Sequence, residues 1–312
     1  MSTQMRAIRQ RGYGDADVLE LTEVERPAPG PADVLVRVRA ASVNPADWKI
    51  RSGAAALPVT MPFIPGFDLS GTVEAVGERV ARFRPGDEVF GMPTPFVGPY
   101  AEYARAPAAD LADRPQWMSE VEAAALASVG LTAWQALVGI AKVEAGQRVL
   151  VHAAAGGVGH VAVQIAKAHG AYVIGTARAA NHRFLAEIGV DEAVDHSTED
   201  FTAVVKDVDI VLDNMGYSYG PRSLETLSPG GLHVSTVWDH PGITRDDAAR
   251  RGVRFETVQV RPSAEHLVAL GRLVEQGLLR VHVADVLPLH RAADAHGLSE
   301  SGRVRGKLVL TP

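Results

Sequence analysis

The segment of this 312-residue chain with the clearest chemical content is His152-Ala153-Ala154-Ala155-Gly156-Gly157-Val158-Gly159, which follows the apolar run Val149-Leu150-Val151. Val158, Ala162, Ile165 and Ala166 then recur at a 3.6-residue period, so the loop lies where a strand feeds a helix. A backbone that bends sharply at such a junction presents helix N-terminal amides and the positive end of the helix dipole to one point. A pyrophosphate is what that point attracts. Gly156 and Gly159 fit the second and third positions of the dinucleotide fingerprint, Ala154 stands in for the first glycine, and Gly157 and Val158 lie between. The bland alternative is a glycine-rich turn with no ligand.

The end of the next strand, Ile174-Gly175-Thr176-Ala177-Arg178, discriminates between dinucleotides. An NAD site places Asp or Glu about 20 residues after the fingerprint, against the ribose hydroxyls. No acid stands here. A carboxylate would repel the 2′-phosphate of NADP, whereas the Thr176 hydroxyl can bond it and the Arg178 guanidinium can pair with it. NADPH is therefore the expected cofactor, with His182 and His196 as weaker phosphate candidates. Against these stand the readings of Arg178, His182 and His196 as ordinary surface residues.

The elements that must position this loop fall into two rhythms. Up to about residue 122, short strands such as Val34–Val38, Gly71–Gly77 and Glu88–Phe90 are punctuated by Gly and Pro, as in a barrel-like module. From about 123 to 261, strands at Val149–Val151, Tyr172–Ile174, Glu192–Val194, Asp209–Leu212 and Leu232–Ser235 alternate with helical segments. Five such strands imply a doubly wound parallel sheet. A helix near Ala264–Gln276, ended by Gly277, then the segment Val281–Leu287, a short helix near Ala292 and a last strand Lys307–Leu310 read as a return to the first domain. The expected architecture is α/β: residues 1–122 and 262–312 form a β-rich domain, and 123–261 a dinucleotide-binding domain inserted into it. The nicotinamide is expected in the cleft between them. The charged run Arg245–Arg251 reads as a solvated loop.

Composition narrows the function classes. With 31 Lys and Arg against 37 Asp and Glu, the net charge of −6 gives no global attraction to nucleic acid or anionic lipid. The absence of cysteine removes disulfides, thiolate nucleophiles and Cys-ligated metals. The N-terminal MSTQMRAIRQRG lacks the apolar core of a secretory signal, and the most apolar stretch, Val121–Val138, is interrupted by Glu122, Ser128, Gly130, Thr132 and Gln135. No membrane partner and a cytoplasmic location are expected.

The fingerprint is joined by Ser42-Val43-Asn44-Pro45-Ala46-Asp47-Trp48-Lys49-Ile50-Arg51-Ser52-Gly53, Ile64-Pro65-Gly66-Phe67-Asp68-Leu69-Ser70-Gly71 and Gly130-Leu131-Thr132-Ala133-Trp134-Gln135. Asp213-Asn214-Met215-Gly216, Ser228-Pro229-Gly230-Gly231 and Arg305-Gly306-Lys307 complete the order. Over nearly its whole length the chain resembles the medium-chain dehydrogenase/reductase superfamily, and within it the zinc-free quinone oxidoreductase (zeta-crystallin-like) branch. The resemblance implies a GroES-like catalytic domain beside a Rossmann domain, and a homodimer built through the edge of the latter. It puts Asn44 and Asp47 at the mouth of the pocket and Thr132 beside the nicotinamide, and adds Asn214 and Arg305 to the cofactor-binding set.

It also bears on metal. The zinc ligands of the alcohol dehydrogenase branch fall at positions matching Asn44, Phe67 and a residue near Ala127, none of which supplies a thiolate or imidazole. Without a Lewis acid, oxidation of an alcohol loses its means of stabilising an alkoxide. Reduction of an electron-poor acceptor needs mainly positioning and hydrogen-bond donors. The expected substrate is a small molecule, a quinone or an α,β-unsaturated carbonyl, with Asn44 donating to the developing oxyanion. Asp47 reads equally as an internal anchor of the Asn44 loop. Trp48 and Trp134 supply shape, Tyr103 and Tyr100 read as strand, and a phenolic proton donor is the lesser alternative for the tyrosines. Loops Pro93–Pro99 and Tyr217–Pro221 are expected to shape the pocket. A pathway-dedicated enoyl reductase, or a nucleotide-bound sensor or structural protein with little turnover, are the competing readings.

Overall fold

The computed structural model describes residues 3–55, 59–94, 98–237 and 239–312. In chain order, the first stretch holds β1 (Gln4–Gln10), β2 (Leu19–Glu25), β3 (Asp33–Val43), α1 (Pro45–Ser52), β4 (Leu69–Val76), β5 (Glu88–Gly91), β6 (Tyr103–Pro107) and β7 (Leu111–Asp113). Next come α2 (Glu120–Trp134), β8 (Arg148–Val151), α3 (Gly157–Ala168), β9 (Tyr172–Ala177), α4 (His182–Glu187), β10 (Glu192–Asp195), α5 (Phe201–Val204), β11 (Val208–Asp213), α6 (Tyr219–Ser223), β12 (Leu227–Ser235), α7 (Arg245–Arg250) and β13 (Arg254–Thr257). The chain ends with α8 (Ala264–Glu275), β14 (Val283–Pro288), α9 (Ala292–Glu300) and β15 (Lys307–Thr311).

These elements divide into two compact units. One comprises Met1–Ser128, Pro262–Arg272 and Val281–Pro312; the other comprises Val129–Arg261 and Leu273–Arg280.

The first unit is organised around β3. Val36, Val38 and Ala40 are buried while Arg37 and Arg39 are exposed, the period-2 alternation of a strand with one face in a core; nearer its start Leu35 is buried as well. β3 pairs antiparallel with β4, β6 and β15, and β14 and β5 extend the sheet on either side. The register Leu308↔Val43 and Leu310↔Ala41 places the start of β15 beside the turn into α1. Val34, Val36, Leu69, Val73, Val89, Leu308 and Leu310 form the core below.

The second unit is a six-stranded, wholly parallel sheet ordered β10-β9-β8-β11-β12-β13. Chain order reverses on either side of β8, the Rossmann arrangement, so the loops after β8 and β11 flank the switch point where such sheets bind ligands. The sequence reading expected five strands. The sixth, β13, has only Phe255 as a buried member and was too short and polar to register. Two other expectations are corrected. Arg245–Arg251 is mostly helix α7, because Thr244 and Asp247 form a reciprocal capping box at its start. Glu120–Ala141 forms one continuous helical stretch, π-type from Gln135, and is long and apolar enough to cross a bilayer by length and composition. Of its apolar window 72% is buried, as in a core helix.

Candidate functional site

In the first unit, Asn44 caps α1 from the end of β3, with Pro45 at the first helical position, where its missing N–H costs nothing. Asp47, one turn on, accepts the Asn44 backbone N–H at 2.8 Å and the Tyr100 hydroxyl at 3.1 Å through Oδ2. The Asn44 amide is embedded in a polar cluster: Nδ2 donates to Asp68 Oδ2 at 2.8 Å, while Oδ1 accepts from Ser128 Oγ at 3.1 Å and Lys307 Nζ at 2.6 Å. Lys307 also donates to the Val43 carbonyl at 2.8 Å, and Ser42 donates to Asp68.

Two carboxylates therefore share one ammonium in a site where Asn44, Asp47, Asp68 and Lys307 are all buried. Burial is the largest influence on each charge. It raises the Asp47 carboxyl to about 7 and pushes Asp68 upward against the opposing pull of Lys307. Burial also lowers Lys307, against the attraction of both carboxylates. Asp47 Oδ1 and Asp68 Oδ1 have no hydrogen-bond partner among the described residues.

The sequence reading placed Asn44 and Asp47 together, as the structure does, and overlooked Asp68, Lys307, Ser42 and Ser128. A single Lys opening the otherwise apolar strand Lys307-Leu308-Val309-Leu310 was the available signal. The strand reading is corrected for Tyr100, which lies outside β6; it is fully buried, its hydroxyl is engaged by Asp47, and burial holds its pKa well above the ordinary value, which disfavours the lesser alternative of a proton donor. Tyr103 lies in β6 with the Arg26 guanidinium 3.8 Å over its ring. Arg305, exposed just before β15, donates to His282 at 3.2 Å.

This donor set does not suit a catalytic zinc. The oxygen of Asn44 is already held by an ammonium that would repel a second cation, Phe67 is a buried phenyl ring, and Ala127 offers a methyl group. Among the described residues no group of three or more His, Cys, Asp or Glu could hold a metal ion.

In the second unit the fingerprint loop joins β8 to α3. Gly159 packs so closely that a Cβ there would lie 2.2 Å from the Ala153 carbonyl oxygen and 2.8 Å from Ala154 Cα, so only glycine fits. Gly156 has an ordinary extended backbone at φ −79°, and an added Cβ would meet Ala153 alone, its carbonyl oxygen at 3.2 Å and its Cβ at 4.0 Å. Its backbone does not require glycine; the missing side chain leaves the cradle open to a ligand. The first turn of α3, with Gly157, Val158 and Gly159, carries no acid and no capping side chain, so its amides are available to an anion. Ala154 is buried beneath, its N–H bonded to the Thr176 carbonyl at 3.0 Å.

The flanking candidates separate in role. Asn214, after β11, donates Nδ2 to the His152 carbonyl at 2.8 Å and accepts from Thr236 at 3.0 Å, which ties the two switch-point loops together. Arg178 is exposed at the end of β9 with no side-chain partner among the described residues, and His196 is exposed after β10. Thr176 corrects the expectation of a phosphate ligand: it is only 1% exposed, and its hydroxyl faces His152 Nδ1 at 3.1 Å and the Ala153 N–H at 3.3 Å. Thr132 lies half-buried on α2. Of the two loops expected to shape a substrate pocket, Pro93–Pro99 includes residues 95–97, outside those described. In the other, Tyr217 stacks on His240 at 5.2 Å.

Comparison with known proteins assigns the family. Residues 30–116 match the alcohol dehydrogenase GroES-like domain and residues 188–310 the zinc-binding dehydrogenase family. The quinone oxidoreductase of Sus scrofa is 34% identical, over 98% of this chain and 97% of its own length; that of Homo sapiens is 32% identical over the same shares. Among solved structures, the quinone oxidoreductase from Coxiella burnetii superposes with a TM-score of 0.95 at 36% identity, covering 99% of both chains. The Escherichia coli quinone oxidoreductase complexed with NADPH gives 0.91 at 28% identity, covering 98% of this chain and 100% of that one. The chain belongs to the medium-chain dehydrogenase/reductase superfamily, and within it to the quinone oxidoreductase branch.

Proposed function

We propose that the protein is an NADPH-dependent, zinc-independent reductase of quinones or α,β-unsaturated carbonyls. The observation that carries this reading is the Asn44 amide, held by Lys307, Ser128 and Asp68 where the zinc-dependent branch has a metal ligand. The names of the relatives and the open glycine cradle support the nucleotide half of the reading.

When bound, NADPH supplies a hydride. Gly156, Gly157, Val158 and Gly159 would hold its pyrophosphate, and Arg178, whose guanidinium has no partner among the described residues, its 2′-phosphate; Asn214 keeps the second loop in place. Asn44 has two amide hydrogens and gives one to Asp68, which leaves the other for an oxyanion or enolate. Lys307 at its oxygen polarises the amide and strengthens that donor. Asp47 fixes the Asn44 backbone and, with its carboxyl near neutrality, can hold a proton at Oδ1. The chemistry is then positioning and oxyanion stabilisation.

The test uses NADPH deuterated at the transferred position with a simple enone. Deuterium on the β-carbon of a saturated ketone is expected; deuterium on a carbinol carbon would replace the enone reading with carbonyl reduction. EDTA should leave the rate unchanged, and loss of activity on chelation with one zinc per chain would end the zinc-independent reading.

A further inference from the structure

His152, the residue that opens the fingerprint loop, is fully buried and bonded at both ring nitrogens: Nδ1 lies 3.1 Å from Thr176 Oγ1 and Nε2 lies 2.9 Å from Ser223 Oγ. The partners fix the direction of every bond. The Tyr219 carbonyl can only accept, so Ser223 gives its single hydroxyl hydrogen there, at 2.7 Å. Ser223 Oγ must then accept from His152, which makes Nε2 the protonated nitrogen. In a neutral ring Nδ1 is left as an acceptor and takes the Thr176 hydroxyl hydrogen. Thr176 Oγ1 in turn accepts the Ala153 N–H at 3.3 Å.

Ala153 is where this chain of bonds meets the loop. It is a non-glycine residue at φ 50°, in the left-handed region that L-residues enter at a cost, and its carbonyl accepts the Gly156 N–H at 2.9 Å. The same carbonyl is the atom Gly159 must approach so closely. Holding Ala153 in that conformation therefore holds the cradle. The ring is packed edge-on against Phe201 and Tyr219, at 4.7 and 5.0 Å, and those two rings stack on each other.

We propose that His152 is a positioning residue for the dinucleotide loop: as the neutral Nε2–H tautomer it links Ala153 through Thr176 to Ser223 and the Tyr219 carbonyl, and so maintains the strained turn that opens the cradle. The ring's charge state agrees, since burial lowers its pKa to about 4, with His233, Arg222 and His196 acting in the same direction and Asp213 against them. The effect on nucleotide affinity rests on the proposed dinucleotide reading; the tautomer and the bond chain do not.

The experiment has two arms. In the unliganded wild-type protein, 15N NMR should find His152 protonated at Nε2 and bare at Nδ1, with slow hydrogen exchange at the Ala153 amide. A ring protonated at Nδ1 overturns the proposal whatever the protein binds. In the second arm, the affinities of NADPH and NADH are compared for wild type, Thr176→Val and Thr176→Ser. Thr176→Val keeps the shape and removes the hydroxyl, and is expected to weaken both nucleotides by a similar factor, about tenfold, while Thr176→Ser restores binding. Loss confined to NADPH would mean that Thr176 touches the 2′-phosphate. Unchanged affinity for both, even with a lowered Tm, would make the chain merely structural; either result overturns the proposal. If the wild type binds neither nucleotide, the dinucleotide reading and the affinity effect built on it both fail, and the NMR arm alone decides the bond chain.

Discussion

Lys307 places its ammonium 2.6 Å from the side-chain oxygen of Asn44, a residue 263 positions away in the sequence, inside a site that also holds the carboxyl groups of Asp47 and Asp68. The antiparallel register of β15 on β3 makes this meeting possible, since it sets Leu308 opposite Val43. One cation thus balances a two-carboxylate cluster and orients the amide on which the proposed chemistry depends.

Removing that cation should be costly. Lys307→Met leaves two buried carboxyls without their counter-ion, and breaking a buried pair from one side costs about 3–5 kcal/mol. Urea unfolding should show a loss of that order, and Lys307→Met combined with Asp68→Asn should lose less than the sum of the single variants. Strict additivity would mean that Lys307 and Asp68 do not feel each other.

Arg178 tests the cofactor assignment. Its exposed guanidinium has no partner among the described residues and is available to a phosphate. A charge-assisted hydrogen bond contributes about 1.5–3 kcal/mol, so Arg178→Ala should erode the preference for NADPH over NADH by about tenfold or more in kcat/KM. An unmutated enzyme that uses both nucleotides equally well would remove the basis for the NADP reading.

What was legible beforehand follows from the range of the interactions involved. The glycine cradle is local: a strand, a tight turn and a helix start within a dozen residues, and the glycine spacing records the steric demand at Gly159 directly. Thr176 was misread because β9 is buried on both faces from Val173 to Ala177, so the alternation that normally tells inward from outward carries no information. Lys307 stands out in the sequence only as part of Arg305-Gly306-Lys307, because nothing near it in sequence discloses that Asn44, Asp68 and Asp47 surround it. Nothing local in the sequence discloses the role of His152 either, because Thr176 and Ser223 are brought to its two nitrogens by separate elements.

Asn44→Ala should separate catalysis from binding. The amide is placed to donate to charge that develops during reduction, and losing one such donor costs about a hundredfold in kcat. KM should change much less, and Tm should fall modestly because Lys307 and Asp68 each lose a partner. Steady-state kinetics below the variant's melting temperature decide it: a large rise in KM with kcat preserved would assign Asn44 to substrate binding.

Asp47 should leave a signature in the pH dependence of stability. Burial, the largest influence, holds its carboxyl at about 7 against an ordinary 3.8. Between those values the folded chain keeps a proton that the unfolded chain has released. The stabilising contribution is complete below 3.8 and is lost as pH rises through 7. Asp47→Asn keeps an uncharged, similarly shaped group at every pH, and any loss of the bonds to Asn44 and Tyr100 is a constant offset. The unfolding free energy of wild type minus variant should therefore fall by an amount on the order of 4 kcal/mol from about pH 4 to about pH 7, and level off above. Urea titrations across this window measure the difference directly. A difference that stays flat would show that Lys307 keeps Asp47 ionised throughout, and the carboxyl could then hold no proton for the reduced product.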